Sequence, residues 1–326
     1  GIGRARIRRV AGERRGVVPV IVRRLIVVAG LAAVFVVSAA GSAVADDLAD
    51  YLEGARDAIY SGERLVATSW DGVESIGIFE IQHHGGMASV GSATIGAGRM
   101  YLGGPQENAM SFVRRSAPEV DSRYSVAHGE ATKHLGRAAT VIEVIEAGSV
   151  RVRMVVDNST SAPMATEVFD GDGELFRYSA MTEFSVWVDP AMAAFDDREY
   201  RMMLPLEDAD LPIELAGYRL IDVYTAPRDG RQAFYTDGLF SFSVFTTRGR
   251  ADWAKIATNE HAYTADGYDY LRVISPTSVT LLWNAPTTAI ALVGDLPPDH
   301  LDEVLGELPL PGTDNWMKRM WRALFG

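Results

Sequence analysis

The chain has no cysteine in its 326 residues. That excludes disulfides, thiolate nucleophiles, thiolate metal sites and an acylated-cysteine anchor, so a folded exported form must rest on packing. No phosphate-binding glycine loop, nucleophile elbow or zinc-protease helix occurs. Basic charge is scarce beyond the start. Eight of the 31 basic residues and one of the 43 acidic ones precede Asp46, which leaves the rest at a net −19. Such a body does not bind nucleic acid through its bulk surface, because phosphate binding needs a positive field. At 48% apolar and 23% charged residues the composition is globular.

One long uncharged run is present, Leu25 to Ala40. Arginines precede it, and Ala43-Val44-Ala45 and then Asp46-Asp47 follow. Basic flank, apolar segment and small-x-small exit predict an export signal over residues 1–45, cleaved after Ala45. An uncleaved anchor is the alternative reading. Either way the body is placed on the periplasmic or cell-envelope side.

Asp46 to Ile59 predicts an amphipathic helix capped by Asp46 or Asp47, with Leu48, Leu52, Ala55 and Ile59 on one face. Extended runs follow at Leu65 to Trp70, Ile76 to His83, Arg99 to Leu102, Ser111 to Arg115, Thr140 to Ile145 and Val150 to Asp157. In the last, Val150, Val152, Met154 and Val156 alternate with Arg151 and Arg153, a strand with one wet face. Ala165 to Phe169 and Glu174 to Val188 flank the turn signal Asp170-Gly171-Asp172-Gly173. The expected architecture over 46–188 is an open antiparallel sheet curved around helices.

Asp189 to Leu211 is acidic and methionine-rich and reads as a linker. From Pro212 a smaller mixed domain of about five strands is expected, running to residue 309. Its hairpin is Arg231 to Gly249, turning at Asp237-Gly238, with Phe240, Phe242 and Val244 on one side. Pro297-Pro298 opens a closing helix. The tail, 314–326, carries Trp316, Met320 and Trp321 beside Lys318, Arg319 and Arg322, a pattern suited to membrane-surface contact.

Candidate chemistry is thin. His83 and His84 are neighbours in a strand and point to opposite faces, so they share no metal. Asp170, Asp172 and Glu174 start like a calcium loop, but Met181 stands where the bidentate glutamate belongs. No catalytic set, cofactor or metal is assigned, and the reading is of a binding protein and not an enzyme.

Several segments, in order, resemble the MucB/RseB family of sigma-E regulatory proteins in its actinobacterial form. They are Tyr60-Ser61-Gly62 with Leu65-Val66 and Trp70, then Gly136 to Val141, Val152 to Asp157 and Glu167 to Asp170. Tyr235 to Phe245, YTDGLFSFSVF, and Leu292 to Pro298, LVGDLPP, complete the series. The resemblance implies an α+β protein, with an N-terminal half-barrel like that of lipoprotein carriers and a smaller C-terminal domain. It implies binding to the exported segment of a membrane-spanning anti-sigma factor, protecting it from proteolysis, with a lipid or lipoprotein acyl chain as releasing ligand. A simple lipid or lipoprotein carrier is the alternative. Trp70, Ile78, Met100, Tyr101 and Phe112 are the candidates for lining a lipid cavity. Tyr235, Asp237, Gly238, Phe240 and Phe242 are the candidates for meeting the partner.

Overall fold

The computed structural model describes residues 45–84, 87–95, 98–105, 120–187, 203–206, 210–226, 229–256 and 260–312. The predicted signal, the strand at Ser111 to Arg115 with Phe112, most of the Asp189 to Leu211 segment and the basic tail lie outside them.

Helix α1 spans Ala45–Asp57. Asp46 and Asp47 fall inside its first turn instead of preceding it. Leu48 and Leu52 are buried, as the apolar face requires. Ile59 lies past the helix end and is 44% exposed, so it is not part of that face.

Nine antiparallel strands follow: β1 (Tyr60–Trp70), β2 (Val73–His84), β3 (Met87–Ile95), β4 (Gly98–Pro105), β5 (Tyr124–His134), β6 (Arg137–Glu146), β7 (Ser149–Asp157), β8 (Pro163–Phe169) and β9 (Leu175–Ser185). They form one open sheet in the order β4-β3-β2-β1-β9-β8-β7-β6-β5. Two meanders are thus joined through β1 and β9, and β4 and β5 are left as edges. Register shifts interrupt most of the pairings, including β1 with β9 at Glu63/Arg64 and β7 with β8 at Val155/Val156. Such bulges bend a sheet. Alternation divides β7 as a half-buried strand should. Val152 and Met154 are buried, while Arg153 stands in register between Glu143 and Glu167 on the other face and pairs with both, at 2.8 and 2.9 Å. Arg151 breaks the expectation of a wet face: it is 8% exposed, covered by a helix that arrives from far along the chain.

The second sheet holds β10 (Met203–Leu204), β11 (Glu214–Leu215), β12 (Tyr218–Ala226), β13 (Gly230–Thr236), β14 (Ser241–Arg248), β15 (His261–Ala265), β16 (Tyr268–Ile274), β17 (Val279–Asn284) and β18 (Thr288–Gly294). The order is β10-β12-β13-β14-β18-β17-β16-β15, with β11 also on β12. This exceeds the five strands expected. The two-residue strands carry no readable period, and β10 comes from the stretch read as linker. Helix α2 is a single turn, Trp253–Ile256, and α3 is Pro298–Glu307 with proline in its first turn. The class is α+β, as expected, with an open antiparallel sheet first. Among the described residues of 46–188 there is one helix, α1, where the sequence reading expects helices; α3 reaches the same sheet from the end of the chain.

One cluster of buried apolar residues runs through both sheets. It joins Leu48 and Leu52 of α1 and Ile142, Val144 and Val152 of the first sheet to Phe242, Val244, Leu281 and Leu292 of the second and Leu301 and Val304 of α3. Among the described residues no helix is long and apolar enough to cross a membrane.

Candidate functional site

The segment entering β5 meets the β13–β14 turn, where Thr236 and Asp237 are buried. The turn is a four-residue loop closed by its own side chains. Thr236 Oγ1 donates to the Phe240 carbonyl at 2.8 Å, and Asp237 Oδ1 accepts the N–H groups of Leu239 and Phe240 at 2.9 and 2.7 Å. Gly238 takes φ +92°, a conformation that glycine adopts without strain. Asp237 therefore spends one carboxylate oxygen on holding its own turn.

The other oxygen reaches the first sheet. The Tyr124 hydroxyl donates to Asp237 Oδ2 at 2.6 Å, and Arg123 Nη2 lies 3.6 Å from the same atom. The Asp121 N–H also donates to the Asp237 carbonyl, at 2.9 Å. The Arg123 guanidinium sits over the rings of Tyr124 and Tyr218, 5.6 and 5.3 Å from their centroids. Burial raises the Asp237 carboxyl above its ordinary range, against the pull of Tyr124, the two turn N–H groups and Arg123. Burial and the Asp237 charge push the Tyr124 hydroxyl far up, and Tyr218 follows for the same reasons. Both phenols are thereby held protonated, and Tyr124 is the donor to Asp237.

A second chain of contacts lies beside the first. Tyr218 and His300 Nδ1 are 2.7 Å apart, and His300 Nε2 meets Glu146 Oε2 at 2.9 Å. Arg151 Nε donates to the same glutamate oxygen at 2.7 Å. Burial would raise Glu146, but the His300 and Arg151 contacts outweigh it and lower the carboxyl. Arg151 continues to Asp299 at the start of α3. Aromatic rings fill the space between: Phe240 meets His300 edge-on at 5.7 Å, and Tyr235 stacks on Phe242 at 5.0 Å.

The proposed contact residues are therefore interior. Tyr235, Asp237, Phe240 and Phe242 are each at most 1% exposed, and Gly238 alone of the five is partly open. In this conformation Asp237 fastens the turn to the segment entering β5, and the aromatic rings pack between the sheets. The lipid-cavity candidates are dispersed. Trp70 lies at the end of β1 against Tyr263 of the second sheet, ring centroids 4.8 Å apart. Ile78 pairs with Leu65, is 36% exposed and alternates away from the buried Phe79 and Ile81. Met100 and Tyr101 are on the edge strand β4. Of the other candidates, His83 is buried and its Nδ1 lies 2.7 Å from the Ala58 carbonyl. Asp170 Oδ1 accepts the N–H groups of Asp172 and Glu174 and closes the β8–β9 turn. Tyr124, Glu146, Arg151, Tyr218 and His300 were not singled out by the sequence. The one signal they left was Arg151, one of two arginines that alternate with apolar residues in β7.

No protein-family model matches the chain, and no curated protein does. Among solved structures, the crystal structure of MucB is similar over 82% of this chain and 98% of its own, at 17% identity and a TM-score of 0.50. A complex of Pseudomonas aeruginosa MucA and MucB aligns over the same 82% at 16% identity, with 99% of that chain covered and a TM-score of 0.44. A putative outer membrane lipoprotein-sorting protein domain from Vibrio parahaemolyticus aligns over 77% of this chain and 89% of its own at 10% identity, with a TM-score of 0.20. The chain has the fold of MucB.

Proposed function

We propose that this chain is an exported regulatory binding protein. It holds the extracytoplasmic segment of a membrane-spanning anti-sigma factor, limits its proteolysis, and so keeps an envelope-stress sigma factor inhibited. The observation that carries the reading is the extent of the likeness: 98% of the MucB chain is matched, at a TM-score of 0.50. The order of YTDGLFSFSVF and LVGDLPP behind an export signal supports the same reading. In this reading 46–188 and 212–309 act as two domains joined by 189–211, and a lipid or acyl chain is the releasing ligand.

The physical requirement follows from linkage. A releasing ligand must bind the partner-free form more tightly than the partner-bound one, or it shifts nothing. The interior position of Asp237 and Phe240 makes the sheet-to-sheet contact the element whose two arrangements such a ligand would distinguish. The partner meets the outer surfaces that this contact aligns, and its segment orders on binding at some cost in affinity.

The test is an affinity pull-down with tagged protein from detergent-solubilised membranes, read by mass spectrometry. Enrichment of one single-span protein with a cytoplasmic sigma-binding domain is the expected result. Recovery of lipid alone, or of lipoproteins at large, would move the protein to the carrier class.

A further inference from the structure

β15 is an edge strand left open. It pairs with β16 on one side, and among the described residues no strand lies on the other. The remaining edges are blunted. β5 carries Lys133 and is bulged between His128 and Ala131. β4 loses register between Val90 and Ser92 and ends in Pro105. The edge along β12 is taken up by the two-residue strands β10 and β11. Charge, proline, bulges and very short strands are the devices that keep sheet edges from pairing. β15 has none of them. His261-Ala262-Tyr263-Thr264-Ala265 holds no lysine, acid or proline and runs against β16 without a register shift.

The turn fixes which backbone groups are open. Asp266 and Gly267 take φ +50° and +78°, the two-residue turn of a type I′ hairpin. Ala265 and Tyr268 close that turn as a hydrogen-bonded pair, and bonded pairs alternate along an antiparallel ladder. Ala265, Tyr263 and His261 therefore spend their N–H and C=O groups on β16. Those of Ala262 and Thr264 point outward, and both residues are exposed. The strand is also held in place from behind. The Tyr263 ring packs on Trp70 and Tyr270, with centroids 4.8 and 6.3 Å away, and its hydroxyl donates to Asp302.

Charge selects what can pair there. Glu260, Asp266 and Asp269 are exposed along the hairpin and Asp302 lies beside it on α3, and none of the four forms an ion pair among the described residues. The one cation of β15 and β16, Arg272, is 2% exposed and lies against the rings of Trp70 and Tyr263. Burial raises the Asp302 carboxyl, and the charges of Asp266 and Asp299 add to it against the Tyr263 hydrogen bond. A second copy of this hairpin would bring the same carboxylates to the edge and be repelled. A strand bearing lysine or arginine would be attracted.

We propose that the free edge of β15 is a docking site for an extended, basic peptide segment, which adds a strand to the second sheet through the outward N–H and C=O groups of Ala262 and Thr264. The main chain supplies the pairing, and Glu260, Asp266, Asp269 and Asp302 supply the preference for positive charge. The site does not depend on the anti-sigma reading.

The probe is a capped, fluorescently labelled peptide of alternating lysine and valine, titrated into purified protein and followed by anisotropy. Two control peptides are its glutamate counterpart and a form methylated on alternate backbone nitrogens. Hydrogen exchange over His261–Ala265 locates the contact. The expected result is saturable binding of the lysine peptide that weakens with salt and slows exchange in β15. The glutamate and methylated peptides are expected not to bind. Ala262→Pro removes an outward N–H and no ladder bond, which an edge strand tolerates, and should weaken binding about tenfold. If that variant does not fold, the methylated peptide decides on the wild-type protein. Equal binding of the methylated or glutamate peptide, or unchanged exchange in β15, overturns the proposal. So does a dimer in solution whose β15 amides are already protected, since the edge would then belong to a second copy.

Discussion

Arg151 of β7 grips Asp299 of α3 through two parallel hydrogen bonds, Nη1 to Oδ1 at 3.0 Å and Nη2 to Oδ2 at 2.8 Å, across 148 residues of chain. The same guanidinium holds Glu146 at 2.7 Å, so a single side chain ties a hairpin of the first sheet to the closing helix of the protein. A bidentate pair in a half-buried setting is worth more than an exposed one. A double-mutant cycle of Arg151→Met and Asp299→Asn in urea is expected to give a coupling of about 2 kcal/mol. Additive effects of the two changes would show that the contact fastens nothing.

Asp237 makes a pH dependence of unusual sign. Its carboxyl is raised in the folded protein, chiefly by burial. A raised acid contributes stability that is complete below its unfolded pKa, about 4, and is lost as pH rises through the folded value. The stability of wild type relative to Asp237→Asn should therefore increase on going from pH 7 to pH 3, measured by urea unfolding at each pH. The reverse slope would mean that Tyr124 and the turn amides outweigh burial. Removing the Tyr124 hydroxyl, in Tyr124→Phe, strips the carboxylate of its shortest hydrogen bond and is expected to cost about 2 kcal/mol at pH 7.

The two segments that looked most characteristic in the sequence run side by side as β14 and β18, and one of the paired residues is a glycine. Gly294 of LVGDLPP pairs with Phe242 of YTDGLFSFSVF and also with Val279. A Cβ on Gly294 would lie 2.5 Å from the Phe242 Cβ and 2.8 Å from the Ser241 carbonyl. Backbone and a fully buried aromatic cannot both give way cheaply. Gly294→Ala is expected to lose about 3 kcal/mol, seen as a lowered melting temperature. A variant as stable as wild type would show that β14 and β18 can part without penalty.

Local signals carried much of the fold and little of the site. The alternation in Val150 to Asp157 and the proline pair before α3 each announced an element, because one face is apolar or one backbone angle is fixed. Met87–Ile95 and Tyr124–His134 went unread as strands. The first is built of small residues. The second is exposed from Gly129 to Lys133, so neither shows a period of two. Arg151 was read as solvated because nothing within a few residues of it predicts Asp299. Phe240 and Phe242 invited the idea of a contact surface, whereas the cover they need comes from Tyr124, Tyr218, Tyr235 and His300. These relationships span from seven to 148 positions, beyond any local pattern.

Asp157 closes β7 and gives the most direct acid-sensitivity test. Arg137 donates to its two oxygens at 2.8 and 2.9 Å, and the Thr160 and Ser159 hydroxyls donate to Oδ2 at 2.7 and 2.8 Å. The hydrogen bonds from Arg137 lead in holding this carboxyl well below the usual range, with burial opposing them and Thr160 and Ser159 adding to the effect. A depressed acid contributes stability that is present above its unfolded pKa and is lost as pH falls toward the folded value. Asp157→Asn leaves Arg137 without its anion and should cost about 3 kcal/mol at pH 7. The difference from wild type should hold at pH 5 and shrink below about pH 4, where the unfolded chain takes up the proton first. Urea unfolding at pH 7, 5 and 3 separates this from a packing defect. A penalty that stays the same at all three would place the role of Asp157 in the shape of the β7–β8 turn and not in its charge.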